Sequence, residues 1–191
     1  MIPRRAFLAL PPALAAGLGG CASPEPAYYT LQARPGPSAA SKVRLVELRR
    51  IGLAGYLDRP EIVRNNADYR LRIAGGERWG EPLGDLIARV LAEDLNMRLP
   101  GSSVFTSAGA ISATADATVE LDLQRLDTDA DGQVVLLAQI AVSRGRNRTG
   151  ADAQTVRLVV PPAGPTTRDM VAAMSVALGQ VADRIAGVLA R

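Results

Sequence analysis

The sequence predicts an α+β fold: a single domain with a mostly antiparallel, mixed β-sheet and two main helices packed on it. Three observations predict it. Two stretches, opening at Pro82 and at Pro165, repeat apolar residues at helical spacing. Several shorter stretches alternate apolar and polar residues or run continuously apolar, as strands do. The order is strands, helix, strands, helix, without an internal repeat, and that order suits helices gathered on one face of a sheet. At 48% hydrophobic and 21% charged residues, the chain carries enough apolar material for one core.

Taken from the N-terminus, residues 1–20 have the three parts of an export signal. Arg4 and Arg5 form a positive region, Ala6 to Leu18 an apolar run too short to span a bilayer, and Gly19 and Gly20 the small residues of a cleavage site. Leu18-Gly19-Gly20-Cys21 resembles the lipobox of bacterial lipoproteins, with cleavage between Gly20 and Cys21 and a diacylglyceryl group on the Cys21 thiol. Cys21 is the only cysteine, so no internal disulfide competes for it. Arg4-Arg5-Ala6-Phe7-Leu8 also fits a twin-arginine export motif, and the Sec and Tat routes both stay open. Ala22 stands where an Asp would resemble an inner-membrane retention signal, which points to the periplasmic face of the outer membrane. Residues 21–27, with Ser23-Pro24-Glu25-Pro26, read as a short stiff lipidated tether, and 28–191 as the folded domain.

In that domain Tyr28 to Leu31 reads as a first strand, and residues 34–41 as a loop. A second strand runs from Val43 to about Ile51, residues 52–60 form a loop, and Ile62-Val63 opens a short strand. Tyr69, Leu71 and Ile73 alternate with Arg70 and Arg72, and Ala74-Gly75-Gly76 turns the chain back to Glu77-Arg78-Trp79. Pro82 suits the first turn of a helix whose apolar face is Leu83, Leu86, Ile87, Val90, Leu91 and Leu95, ended by Pro100-Gly101. Val104-Phe105, Val119 to Gln124, Val134 to Val142 and Thr155 to Val160 read as strands. Thr166 and Asp169 form a capping box variant ahead of a last helix, with Met170, Met174, Leu178, Val181, Ile185 and Val188 along one core stripe.

The chemistry is notable for what it lacks. With no histidine, the chain has no Ser-His-Asp or Cys-His machinery and no histidine metal site. The net charge of +3 falls to +1 once residues 1–20 are removed, and no basic run suggests nucleic acid as a partner. Asp127, Asp129, Asp131 and Gly132 match the start of a calcium loop, but loop position 12 is Ala138 in place of the required Glu, and a hairpin with Asp131-Gly132 at its tip accounts for the same residues. Arg144, Arg146 and Arg148 read as a solvated hairpin end, and Asn147-Arg148-Thr149 fits a glycosylation sequon. Glu120 and Asp122 fall on a solvated strand face. The stretch Tyr56-Leu57-Asp58-Arg59-Pro60-Glu61-Ile62-Val63 has more specific chemistry than a linker needs. Partner binding and a purely structural role both account for it.

Cys21, Tyr28-Tyr29-Thr30-Leu31, the block from Tyr56 to Val63, and Arg78-Trp79-Gly80-Glu81-Pro82-Leu83 together resemble the PqiC family, the auxiliary lipoproteins of MCE-type transporters. Gly80 departs from the usual Ala, which would loosen the entry to the helix. The resemblance covers the mature chain and implies a non-enzymatic outer-membrane lipoprotein, with no cofactor beyond the lipid on Cys21. It implies docking on an MCE-domain tunnel protein through which lipid moves between membranes. It also implies the membrane as a partner through the anchor, and assembly as a homo-oligomer, which nothing in the sequence fixes. Tyr56, Leu57, Asp58, Arg59, Pro60, Arg78 and Trp79 are the candidate partner-binding residues. A structural lipoprotein bound to another envelope complex is the competing reading. A hydrolase built on Asp and Glu is a third, and would need a shifted carboxylate in a cleft.

Overall fold

The computed structural model describes residues 25–67, 69–145 and 150–191. The signal peptide, Cys21, most of the tether, Arg146, Arg148 and the sequon lie outside the described residues. The elements in chain order are β1 (Ala27–Tyr29), β2 (Leu45–Leu48), β3 (Gly52–Leu53), β4 (Glu61–Ala67), β5 (Arg70–Trp79), α1 (Leu83–Arg98), β6 (Ser103–Thr106), β7 (Ala117–Thr128), β8 (Val134–Arg144), β9 (Ala151–Val160) and α2 (Thr167–Leu189). All nine strands belong to one mixed sheet on which the two helices pack, so the expected α+β domain is what forms.

The sheet is organised around β7. On one side it pairs antiparallel with β8 along its whole length, from Ala117↔Arg144 to Thr128↔Val134, and β8 pairs with β9 in the same way. On its other side β7 takes three short parallel partners in turn: β2, then β3, then the end of β4. Beyond these lie β6, parallel to β2, and β5 with β1 beyond β4. The long local ladders are antiparallel, and the short distant ones are parallel. Parallel partners cannot be joined by a tight turn, so long connections carry the chain between them.

Several sequence expectations are corrected. The first strand ends at Tyr29, and Leu31 is buried beyond it. The strand expected from Val43 to Ile51 is only β2, Leu45–Leu48, and the loop expected from residue 52 opens with a further short strand, β3, because the chain shifts register against β7: Leu48 pairs Val119 and Gly52 pairs Asp122. The strand begun by Ile62-Val63 runs on to Ala67. Ala74-Gly75-Gly76 is not a turn. β5 passes straight through it, and the register slips between Val63↔Ile73 and Glu61↔Arg78, with Gly76 at φ 78. A glycine in left-handed conformation serves a bulge as well as a turn. Pro82 caps α1 from outside instead of forming its first turn. At α2 the expected capping box forms: Asp169 N donates to Thr166 Oγ1 at 3.2 Å and Thr166 N to Asp169 Oδ2 at 3.2 Å.

The apolar stripes of both helices and the inward faces of β7 and β8 make one core. Each large aliphatic side chain buried there contributes roughly 1.5–3 kcal/mol. Between Thr30 and Arg44 the chain has no regular secondary structure, yet it crosses the helix pair and must satisfy its backbone there. Gln32 N donates to Ser175 Oγ (3.2 Å), Arg34 N to Asp94 Oδ1 (2.7 Å), and Ala39 N to the Arg98 carbonyl (2.7 Å). Arg98, only 1% exposed, is the centre of this contact. Its guanidinium donates to the Arg34 carbonyl (2.7 Å), the Asp94 carbonyl (3.1 Å) and the Gly179 carbonyl (3.0 Å), and to the carboxylates of Asp94 (3.3 Å) and Asp183 (2.6 Å). Gly36 lies so close that a Cβ there would fall 2.2 Å from Arg98 Nη2.

Removing one partner of a buried pair leaves an uncompensated charge, so Arg98→Ala is expected to lose roughly 3–5 kcal/mol of stability in urea unfolding. Asp94 makes a second, pH-dependent prediction. It is fully buried, and its Oδ2 has no hydrogen-bond partner among the described residues. Desolvation pushes its carboxyl above the ordinary 3.8, against the opposing pull of the Arg34 amide and the Arg98 charge. The folded chain therefore holds that proton more tightly than the unfolded chain. As pH falls from neutral through the raised pKa to the ordinary value, Asp94 adds stability. Asp94→Asn cannot titrate, so in thermal melts the wild type should gain on this variant between neutral pH and about pH 4. A constant difference would count against the raised pKa.

Candidate functional site

The three sequence blocks that resemble one another's counterparts in a known family meet at a single junction. Trp79 N donates to the Pro60 carbonyl at 2.8 Å, and Gly80 N donates to the Tyr29 carbonyl at 2.9 Å. Arg78 reaches Glu61 at 3.8 Å. The entry to α1 is held by that backbone bond from Gly80, and an alanine methyl at Gly80 would sit at ordinary contact, 3.5 Å from the Tyr29 oxygen. Gly80 therefore leaves the helix entry pinned.

The candidate partner residues divide by orientation. Leu57 and Trp79 are buried in the core. Tyr56 sends its hydroxyl inward to Asp127 Oδ2 at 2.8 Å, and Arg125 Nε donates to Asp127 Oδ1 at 2.8 Å, so this wholly buried carboxylate is held from both sides. Burial, then the Asp127 hydrogen bond, raises the Tyr56 pKa and keeps the phenol a donor. Asp58 and Pro60 are exposed, while Arg59 and Arg78 are half-buried. Of the calcium-like aspartates, Asp127 is this buried acceptor, and Asp129 Oδ1 accepts the amides of Asp131 and Gln133 within its own hairpin turn.

Asp58 borders a cleft of about 330 Å³ that also takes in Arg50, Pro82 and Asp85. Arg50 and Gly52 also border a trough of about 910 Å³ lined by Glu47, Arg49, Glu120, Asp122, Gln139 and Thr155 among others. Glu120 and Asp122 alternate with the buried Leu121 and Leu123, so the trough lies on the sheet face turned away from the helices. Arg49 Nε sits 3.5 Å from Glu120 Oε1. Gly52 permits the close approach of the trough wall, since a Cβ there would come within 2.5 Å of Asp122 Oδ1. Sequence reasoning placed Glu120 and Asp122 on a solvated face and missed the trough, because its wall is built by parallel pairing with a segment some seventy residues earlier.

The lining is charged on both signs and also takes in Leu121, Ile140, Ala141 and Ala153. Ser107 reaches the trough, but the chain has no histidine, and its single lysine, Lys42, is not in the lining.

The sequence profile of the family described as "ABC-type transport auxiliary lipoprotein component" matches residues 29–186. Among solved structures, the fold is similar to that of an uncharacterised protein at 19% identity and a TM-score of 0.72, covering 86% of this chain and 99% of the other. It is also similar to a Xanthomonas campestris protein of the DUF330 family, at 17% identity and a TM-score of 0.70, covering 85% of this chain and 94% of the other. At these identities the two structures speak to the fold alone. No curated protein sequence matches the chain.

The inward role of Tyr56 is testable. Tyr56→Phe keeps the ring and removes one donor from a buried carboxylate, so it should cost roughly 1–3 kcal/mol in denaturant unfolding. An unchanged midpoint would show that Arg125 alone satisfies Asp127.

Proposed function

The chain belongs to the ABC-type transport auxiliary lipoprotein component family, and from that premise we propose that it is an outer-membrane-anchored adaptor that docks on the MCE-domain tunnel protein of its transport system. Membership makes it a membrane-anchored envelope lipoprotein and an accessory transport subunit, in a family described by its transport role and by no catalytic activity. The finer reading adds the outer membrane, the lipid on Cys21, the tunnel partner and a purely non-enzymatic role.

One observation carries the docking surface. Asp58 and Pro60 are exposed in a loop whose neighbours Tyr56, Leu57 and Trp79 are locked into the interior, at the rim of a charged concavity. A loop fixed from beneath loses little conformational freedom when a partner lands on it, which favours binding. The anchor adds the second half of the mechanism. Each buried methylene contributes about 0.8 kcal/mol, so two or three acyl chains hold the protein at the bilayer. A partner bound to the domain is then held at the membrane as well. Lipid leaving a tunnel would be delivered beside an acceptor leaflet instead of into water.

A photo-crosslinking residue at Asp58 in the full-length chain, expressed in cells, tests this. The expected product is an MCE-domain protein, identified by mass spectrometry and lost in a Cys21→Ser control that cannot be anchored. Capture of a different envelope protein, with no MCE-domain peptide above that control, would replace this reading with that of a structural lipoprotein.

A further inference from the structure

We propose that residues 69–73, on the exposed end of the β4–β5 hairpin, form a second membrane contact on the same lipid surface that receives the Cys21 anchor; the inference rests on anchoring at Cys21. Leu71 and Ile73 share one face of β5 and are 42% and 44% exposed, and Tyr69, in the turn just before β5, is 107% exposed. Arg70 and Arg72, on the other face, are exposed too. A half-buried strand turns its apolar face to a core, but this stretch has none: β4 meets β7 only at Asn65↔Thr128, the last residue of β7, and the first buried residue of β5 is Ala74. Tyr69 is also the one non-glycine residue with positive φ, 58°, among the described residues. Folding alone would favour Gly or Asn at such a position.

The topology places this patch beside the anchor. β1 runs parallel to β5, with Ala27 opposite Glu77, so the chain entering β1 arrives from the Tyr69–Ile73 end of β5. Six residue steps lead from Cys21 to Ala27 and reach at most roughly 20 Å. From Glu77 back to Arg70 is seven strand residues, again roughly 20 Å. A fully extended tether therefore allows the lipidated cysteine to reach the level of the hairpin end. The chemistry matches a bilayer interface: a tyrosine for the headgroup layer, Leu71 and Ile73 for the upper acyl region, and two arginines for phosphates. The β7–β8 turn brings the exposed Asp131 to the same end, so contact depends on the apolar face more than on net charge.

The test uses full-length, lipid-modified protein in vesicles of phosphatidylethanolamine and phosphatidylglycerol. Lipidation consumes the native thiol, so Tyr69→Cys, Leu71→Cys and, as a control, Ile111→Cys each offer one site for an environment-sensitive fluorophore. Ile111 is 61% exposed but lies in the loop that leads into the start of β7, at the opposite end of that strand. A shallow nitroxide lipid should quench labels at 69 and 71 several-fold more than the label at 111. Protein that floats with the vesicles, melts like wild type, and is quenched no more at 69 and 71 than at 111 overturns the second contact alone. Shielding of the label at 69 only when an MCE-domain protein is added overturns it too and gives the hairpin to the partner. Protein whose intact mass shows no lipid, and which does not float, overturns the anchor and the contact with it.

Discussion

The guanidinium of Arg98 ties together three parts of the chain that are distant in sequence. It lies on α1, donates across to Gly179 and Asp183 of α2, and donates to the Arg34 carbonyl of the arm between Thr30 and Arg44. Burying that charge is costly, and what offsets the cost is a full set of acceptors in a rigid fork geometry that lysine cannot reproduce. The arm in turn matters because of what precedes it. β1 enters the arm directly, so the position of β1 on β5 is fixed from both ends: by its own ladder and by the arm clamped between the helices. Gly36 lies against the guanidinium at a distance no side chain would allow, so the clamp is specified from the arm side as well as from the helix.

What could be read from the sequence follows from which signals are local. The helices were legible because burial writes itself into a 3.6-residue stripe, and the Thr166–Asp169 box and the Asp131-Gly132 turn are complete within four or five residues. Strand partnership is not local. Nothing near Val46 or Gly52 says that both pair with β7, and the expected strand overruns β2 and leaves β3 in a loop because a register slip leaves no mark in hydropathy. Gly75-Gly76 was read as a turn because turns and bulges ask the same backbone freedom of glycine. Asp94 and Arg98 at i and i+4 look like a surface pair. Their burial becomes visible only when the arm and α2 are set over them.

The candidate site shows the same division. The structure brings the segments that the sequence singles out to one junction, but residue type alone does not say which side chains face inward. Tyr56 and Trp79 are the residue types expected of interface anchors, and both are spent on the interior: one on Asp127, 71 residues away, the other in the core. What remains at the surface is smaller and more polar. The reading of Cys21 as a lipid site rests on its neighbours Leu18-Gly19-Gly20 alone and owes nothing to the fold.

Strand direction ties these features into one orientation. β1 and β5 run the same way, β4 runs opposite to β5, and β7 runs with β4. A tether entering β1 from a bilayer therefore means that β7 runs toward that bilayer, with Thr128 near it and Ala117 away from it. The trough lies along the middle of β7, at Glu120 and Asp122, and is walled by the β2–β3 segment. A domain anchored in that way would present the concavity sideways to the membrane normal, with the loop before β7 on the side away from the bilayer.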